Sequence, residues 1–128
     1  MRYALVLPLR YDGPGGPLLR LFDSRLGGEF IEQLDVAGVP ARLTDSRGWL
    51  TRKGACTFLE FSFTCTHKVD AVMDVSIPAI GSMLDALRGE GFDIELDGPF
   101  SLEWNKGGEG PPLVRYSRNF RVWQGVPN

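Results

Sequence analysis

The stretch that decides the fold is TFLEFSFTCTH, residues 57–67, in which apolar and polar residues alternate. A β-strand places successive side chains on opposite faces, so a period of two predicts a half-buried strand. Counting every second residue gives one face the following side chains: Thr57, Leu59, Phe61, Phe63, Cys65 and His67. The segment therefore predicts a strand whose aromatic and aliphatic face packs into a hydrophobic core.

Further strands are predicted on both sides of this segment. Residues 2–10, RYALVLPLR, are apolar at nearly every position, which is typical of a strand covered on both faces, although Pro8 limits its pairing. The turn-forming residues of YDGPGGP, 11–17, predict a loop. The other predicted strands are short strands within 39–57, a hairpin over 92–104 and a final strand over 113–123.

One helix is clearly predicted, over about 76–89. Ser76 can cap it, Pro78 fits its first turn, and apolar residues recur at spacings of three and four at Ile77, Ile80, Leu84 and Leu87. Residues 28–37 fit either a helix or a strand, and Gly27 and Gly28 count against a long helix there.

These elements predict an α+β fold built mainly from an antiparallel sheet of five to seven strands, partly folded on itself, with the helix at about 76–89 packed on one face. A length of 128 residues suits a single domain, 1–128. Its 43% hydrophobic and 23% charged residues are typical of a soluble globular protein.

Composition and charge also bear on the setting. No apolar run approaches the roughly 20 residues that a membrane-spanning helix needs, and no cleavage site follows the apolar run near the amino terminus. We therefore expect no membrane contact and a cytoplasmic location, or incorporation in a particle assembled in the cytoplasm, with Cys56 and Cys65 reduced. Residues 70–109 are strongly acidic, whereas residues 110–128 carry three basic side chains and no acidic one.

Cys65 and His67 are the first candidates for chemistry. Two residues apart in a strand, their Cβ atoms would lie roughly 6 to 7 Å apart on one face, which suits a nucleophile and its base or two metal ligands. A zinc site needs further ligands, which only carboxylates such as Asp70 or Asp74 could supply. Because free cysteine is most often a buried residue, the sequence favours a core role for Cys65 and predicts no metal and no cofactor.

Two other clusters of charged residues invite a functional interpretation. Asp93, Glu95 and Asp97, with Glu103, could hold a divalent cation or act as acid and base, but alternating charges are also typical of a solvated strand face, the interpretation we favour. Arginines lie among aromatic residues near both Trp49 and Tyr116, as in single-stranded nucleic-acid sites. The acidic net charge of −2 disfavours such binding.

With no complete catalytic motif, the sequence predicts a non-catalytic protein–protein interaction, structural or assembly subunit, for example a phage particle component or a small immunity or antagonist protein. A protein partner or a homo-oligomer is expected. The predicted contacts are Trp, Tyr and Arg residues, which dominate interface hot spots: Arg47, Trp49, Arg52, Tyr116, Arg118 and Trp123. The alternatives are a small enzyme or ligand-binding protein using Cys65 and His67, and a single-stranded nucleic-acid-binding protein.

Overall fold

The computed structural model describes residues 2–44, 47–105 and 114–118, with residues 104–105 and 114–118 described by their backbone alone. The fold is α+β, as predicted, and its sheet is antiparallel and not closed. The strands are β1 (Arg2–Arg10), β2 (Ala41–Leu43), β3 (Trp49–Lys53), β4 (Cys56–Cys65), β5 (Glu95–Leu96), β6 (Phe100–Asn105) and β7 (Val114–Arg118). The helices are α1 (Gly15–Leu21), which continues through a π-helical turn (Phe22–Leu26) into α2 (Gly27–Val36), and α3 (Val69–Gly89).

Strand β1 occupies the centre of the sheet, between β4 and β6. On one side, β3 and β2 pair with successive parts of β4, through Thr57 and Phe63 for example. On the other side, β6 and β5 pair with successive parts of β1, and β7 extends the sheet beyond β6. Two long strands thus form the middle of the sheet, and shorter strands flank them.

The segment 57–67 forms β4 as far as Cys65, and its predicted buried face is confirmed. The side chains of Leu59, Phe61 and Phe63 are fully buried. The ring of Phe61 lies 4.8 Å from that of Phe22 and 5.1 Å from that of Phe30, so the helical segments cover this face. Each such side chain contributes roughly 1.5 to 3 kcal/mol through burial.

Helix α3 begins at Val69, seven residues before the predicted start, and Pro78 lies inside it. The prediction that Ser76 caps the helix is therefore wrong. A proline within a helix costs about 3 kcal/mol, but burial of Val72 and Met73 extends the apolar stripe upstream and offsets this cost. Pro78 itself is exposed.

The segment from Gly15 to Val36 is helical throughout, so the loop predicted over 11–17 ends at Pro14. Pro17 is tolerated because it lies in the first turn of α1, where backbone N–H groups lack helical partners. Gly27 is close to a ring: a Cβ there would lie 3.1 Å from ring carbons of Phe22. None of the described helices is long and apolar enough to cross a membrane.

Residues 92–104 do not form the predicted hairpin. Strands β5 and β6 both pair with β1, and they lie one after the other along its edge. The Asp97 N–H donates to the Pro8 carbonyl at 2.7 Å, and Gly98 then turns the chain with a φ of 111°. Because Gly has no Cβ, it adopts this left-handed conformation without strain.

The second face of the sheet differs from the face that carries Phe61. Val6 and Phe58 are half-buried there, and a depression of about 400 Å³ is lined, among the described residues, only by strands and their turns. Trp49 belongs to this face, since Leu50 beside it points towards α1, where a Cβ on Gly15 would lie 2.9 Å from its Cδ1. We call this surface the uncovered sheet face.

Candidate functional site

Cys65 lies at the end of β4 with only 4% of its surface exposed. It belongs to the same hydrophobic cluster as Phe61 and Phe63, as expected for a core residue. Cys56 begins the same strand and is half-exposed, and neither cysteine takes part in a disulfide. Residues nine positions apart in a strand face opposite ways, so the two sulfur atoms belong to different surfaces of the sheet.

His67 lies beyond the strand, because β4 ends at Cys65 and the chain then bends. The predicted alternation therefore does not extend to His67. Its backbone N–H donates to the Cys65 Sγ at 3.3 Å, and its carbonyl accepts from the Tyr3 hydroxyl at 2.7 Å. The Nδ1 atom of His67 is buried and has no hydrogen-bond partner among the described residues. The hydrogen bond that joins the predicted pair thus uses the His67 backbone, not its imidazole.

The further ligands considered for a metal do not assemble around this pair. Asp70 lies in the first turn of α3 and is exposed, as is Asp74 one turn later. In the described part of the chain, no three His, Cys, Asp or Glu side chains lie close enough together to hold a metal ion.

Cys56 has an unusual electrostatic environment. Its burial and the neighbouring negative charge of Asp97 raise the pKa of the Cys56 thiol, because both disfavour the thiolate. The folded protein therefore holds this proton more tightly than the unfolded chain does. The resulting contribution to stability is present at neutral pH and is lost as the pH rises through the titration of the thiol.

We expect iodoacetamide to label the two thiols differently. Cys56 should react slowly at neutral pH and faster as the pH rises, since the thiolate is the nucleophile, and Asp97→Asn should move this profile to lower pH. Cys65 should stay unlabelled until the protein is denatured. Peptide mass spectrometry after timed labelling measures both rates, with urea-unfolded protein as the control. Rapid labelling of Cys65 at pH 6.5 would contradict its core role and favour the enzyme alternative.

The acidic residues of the 93–97 region face a cation across the sheet. The Arg10 guanidinium lies 3.5 Å from a carboxylate oxygen of Glu95 and 3.6 Å from one of Asp97. Leu9 and Arg10 of β1 pair with β5, so these contacts are cross-strand pairs between neighbouring strands. They are exposed to solvent and contribute little to stability.

The structure places Trp49 and Arg52 on opposite faces of β3. Trp49 is 40% exposed and lies opposite Glu60. The Arg52 guanidinium instead lies 5.9 Å from the ring centre of Tyr11 and donates to the Gly13 carbonyl. Arg52 therefore holds the loop before α1 and does not lie beside Trp49 on the uncovered sheet face. Arg47, just before β3, is exposed.

Two further predicted contacts, Tyr116 and Arg118, lie in β7 at the other edge of the sheet. In β7, Tyr116 pairs with Leu102 and Arg118 with Phe100, whereas Trp123 lies outside the described residues. Strands β4, β1 and β6 separate β3 from β7, which corresponds to about 19 Å at the usual strand spacing. The five predicted contacts within the described residues thus do not form one cluster.

A second candidate surface, which was not predicted from the sequence, lies on the helices. An open groove of about 520 Å³ runs between α2 and α3, and we call it the α2–α3 groove. Its apolar lining includes Leu26, Phe30, Val36, Ala79, Met83 and Ala86. Val36 is 85% exposed. Val36 lies two residues after buried Leu34 and is therefore out of phase with the buried apolar stripe of α2. An apolar residue at such a position is the sequence signal that could have indicated this surface.

Comparison with known proteins identifies no relative: no protein-family model, no curated protein and no solved structure matches this chain.

Proposed function

We propose that this protein is a non-catalytic protein–protein interaction or assembly subunit that contacts its partner through the uncovered sheet face. One observation carries the proposal: Trp49 stands exposed on that face and pairs with Glu60, which lines a depression of mixed apolar and charged residues. A large hydrophobic side chain exposed among apolar and charged neighbours is typical of interaction sites.

The type of residue supports a protein partner. Tryptophan buries a large area with few rotatable bonds, which makes it the commonest energetic anchor of interfaces. Glu60 lies opposite Trp49 in the register, and Lys53 lines the same depression. An apolar centre with charged residues around it is the usual composition of an interface.

The placement of the reactive residues supports the same proposal. The Cys65 thiol is buried in the core and shielded from solvent, and the raised pKa of the Cys56 thiol disfavours its reactive thiolate. Cys65 and His67 are joined through the His67 backbone. The enzyme alternative has no comparable observation in its favour.

The proposal predicts that Trp49 carries much of the binding energy. Trp49→Ala should weaken the complex by about 2 kcal/mol or more, close to thirtyfold in affinity, while lowering stability only slightly. A photo-crosslinking amino acid at position 49 should give one product of defined mass. Crosslinking is measured on the purified protein, to detect a homo-oligomer, and in extracts of the cells that produce it, to detect another partner.

The same crosslinker at Asp12, an exposed loop position, is the control and should give no such product. Light scattering on a size-exclusion column then gives the mass of the complex for the wild type and for Trp49→Ala. A complex that forms equally well without Trp49, or no product at position 49 in either sample, contradicts the proposal.

A further inference from the structure

We propose that the α2–α3 groove binds a basic amphipathic helix of a protein partner. This site is separate from the uncovered sheet face, because it lies on the helices that cover the opposite face of the sheet. The inference rests on the shape of the groove and on the charge around it, and it goes beyond the proposed function.

The shape follows from the size of the side chains on α3. Ala79, Ser82 and Ala86 recur at spacings of three and four, so they share one side of the helix. Such small side chains cannot fill the space towards α2, and the buried side chains of Phe30 and Met83 remain as the floor. A trough with an apolar floor between two helices is the shape that receives an amphipathic helix.

The length of the groove suits such a ligand. From Ala79 to Ala86 the axis of α3 rises by about 10 Å, or two helical turns. A partner helix with apolar residues at i, i+3 or i+4, and i+7 covers the same length. Val36 at the rim, 85% exposed, would be covered by such a helix.

The acidic residues that line the groove favour a basic partner. Helix α2 carries two acidic side chains that line the groove, Glu29 and Glu32, and no basic one. Its third acidic residue, Asp35, is not in the groove lining and accepts a hydrogen bond from the Ala41 N–H. Arg25, which precedes α2, forms ion pairs with Glu29 and Glu90 at 3.4 Å each. Glu32 lines the groove and has no ion-pair partner among the described residues. Lysine or arginine on the flanks of a bound helix would lie beside Glu29 and Glu32.

The same charge disfavours the other possible occupants. Glu29 and Glu32 form an acidic rim on the α2 side of the groove, and this rim would repel nucleic acid and anionic membrane surfaces. In a second copy of this chain, the helical layer carries the same acidic residues, so packing the two layers together would bring like charges into contact. A heterologous basic helix is the occupant that meets both the apolar floor and the acidic rim.

The test uses a fluorescently labelled model helix of leucine and lysine, about 18 residues long, since shorter peptides rarely stay helical in water. We expect saturable binding by fluorescence anisotropy at low ionic strength, weakened by added salt. A peptide of the same composition in scrambled order, and one with glutamate in place of lysine, should each bind about tenfold or more weakly.

Single substitutions locate the binding site. Glu32→Lys should weaken binding about threefold to tenfold at low salt, and Val36→Ser should weaken it severalfold; both positions are exposed, so folding should be unaffected. Asp93→Lys makes the same charge change at an exposed position outside the groove and is the matched control. Thermal unfolding by circular dichroism confirms that the variants are folded.

The inference is overturned if the scrambled or acidic peptide binds as well as the basic helix. It is also overturned if Asp93→Lys has the same effect as Glu32→Lys, or if the wild type shows no saturable binding. Trp49→Ala should leave peptide binding unchanged. Failure of this site is thereby distinguished from failure of the proposed function.

Discussion

Phe61→Asp is expected to leave the chain unfolded at 25 °C. The ring of Phe61 is fully buried and lies within 6.4 Å of the rings of Phe22, Phe30 and Phe63. Loss of a buried phenylalanine ring alone costs about 3 to 5 kcal/mol, and a buried, unpaired carboxylate adds several more. That sum is comparable to the total stability of an ordinary domain, about 5 to 15 kcal/mol. Far-UV circular dichroism and thermal melting measure the effect.

Phe58→Asp is the matched control for this prediction. Phe58 lies in the same strand, three residues earlier, on the uncovered sheet face, where it is half-buried. The same change of residue type should therefore leave a folded protein with a moderately lower melting temperature. An unchanged melting temperature for Phe61→Asp, or equal losses at the two positions, would contradict the assignment of inward and outward faces in β4.

Gly48→Val is expected to destabilise the protein by about 1 to 3 kcal/mol through overpacking. Gly48 is buried, and a Cβ there would lie 2.9 Å from two ring carbons of Phe22. That ring cannot move freely, because it packs on Phe61 at 4.8 Å. The backbone cannot withdraw easily either, since the Gly48 N–H donates to the Asp23 carboxylate at 2.8 Å. Urea unfolding measures the change as a lower midpoint with an unchanged slope.

Gly28→Ala provides the comparison for Gly48→Val. Apart from the adjacent residues and the backbone of the helix itself, no described heavy atom lies within 4 Å of the position that a Cβ on Gly28 would take. Alanine there should stabilise the protein by about 0.5 to 1 kcal/mol, because glycine loses more backbone entropy in a helix. If Gly48→Val proved as stable as the wild type, the close contact between Gly48 and the Phe22 ring would be contradicted.

The strands with a strong local signal could be predicted from the sequence. In β4, Leu59, Phe61 and Phe63 alternate with less apolar residues, and that period alone identifies both the strand and its buried face. Strand β1 was also predicted correctly as a strand, but the prediction that both of its faces are covered is wrong, because Val6 is only half-buried on the uncovered sheet face. This prediction of β4 succeeded because successive side chains of a strand point to opposite faces, so buried residues recur at every second position.

Helix boundaries could not be predicted in the same way, because the local cost of proline or glycine in a helix competes with packing against residues elsewhere in the fold. Pro78 suggested a helix start, yet burial of Val72 and Met73 carries α3 upstream. Gly27 argued against a helix, yet its small size permits the close approach of Phe22. In both cases the decisive contact involves a residue whose position the local sequence does not specify.

Which strands pair with each other was even harder to predict from the sequence. The segments around Ile94 and Leu102 carry the pattern of a hairpin, but each pairs with β1. The side-chain pattern reports which face is buried and says nothing about which strand is adjacent. The candidate sites show the same division: burial of Cys65 follows from its own strand, whereas the α2–α3 groove exists only because two helices far apart in sequence are neighbours.

The division of one sheet edge between β2 and β3 affects how the protein behaves at high concentration. An edge strand presents unpaired backbone N–H and C=O groups to which another chain can add. Here the edge beside β4 consists of strands of three and five residues, pairing with Phe63 to Cys65 and with Cys56 to Glu60. A foreign strand therefore finds only short stretches for pairing, which limits edge-to-edge aggregation without a covering helix.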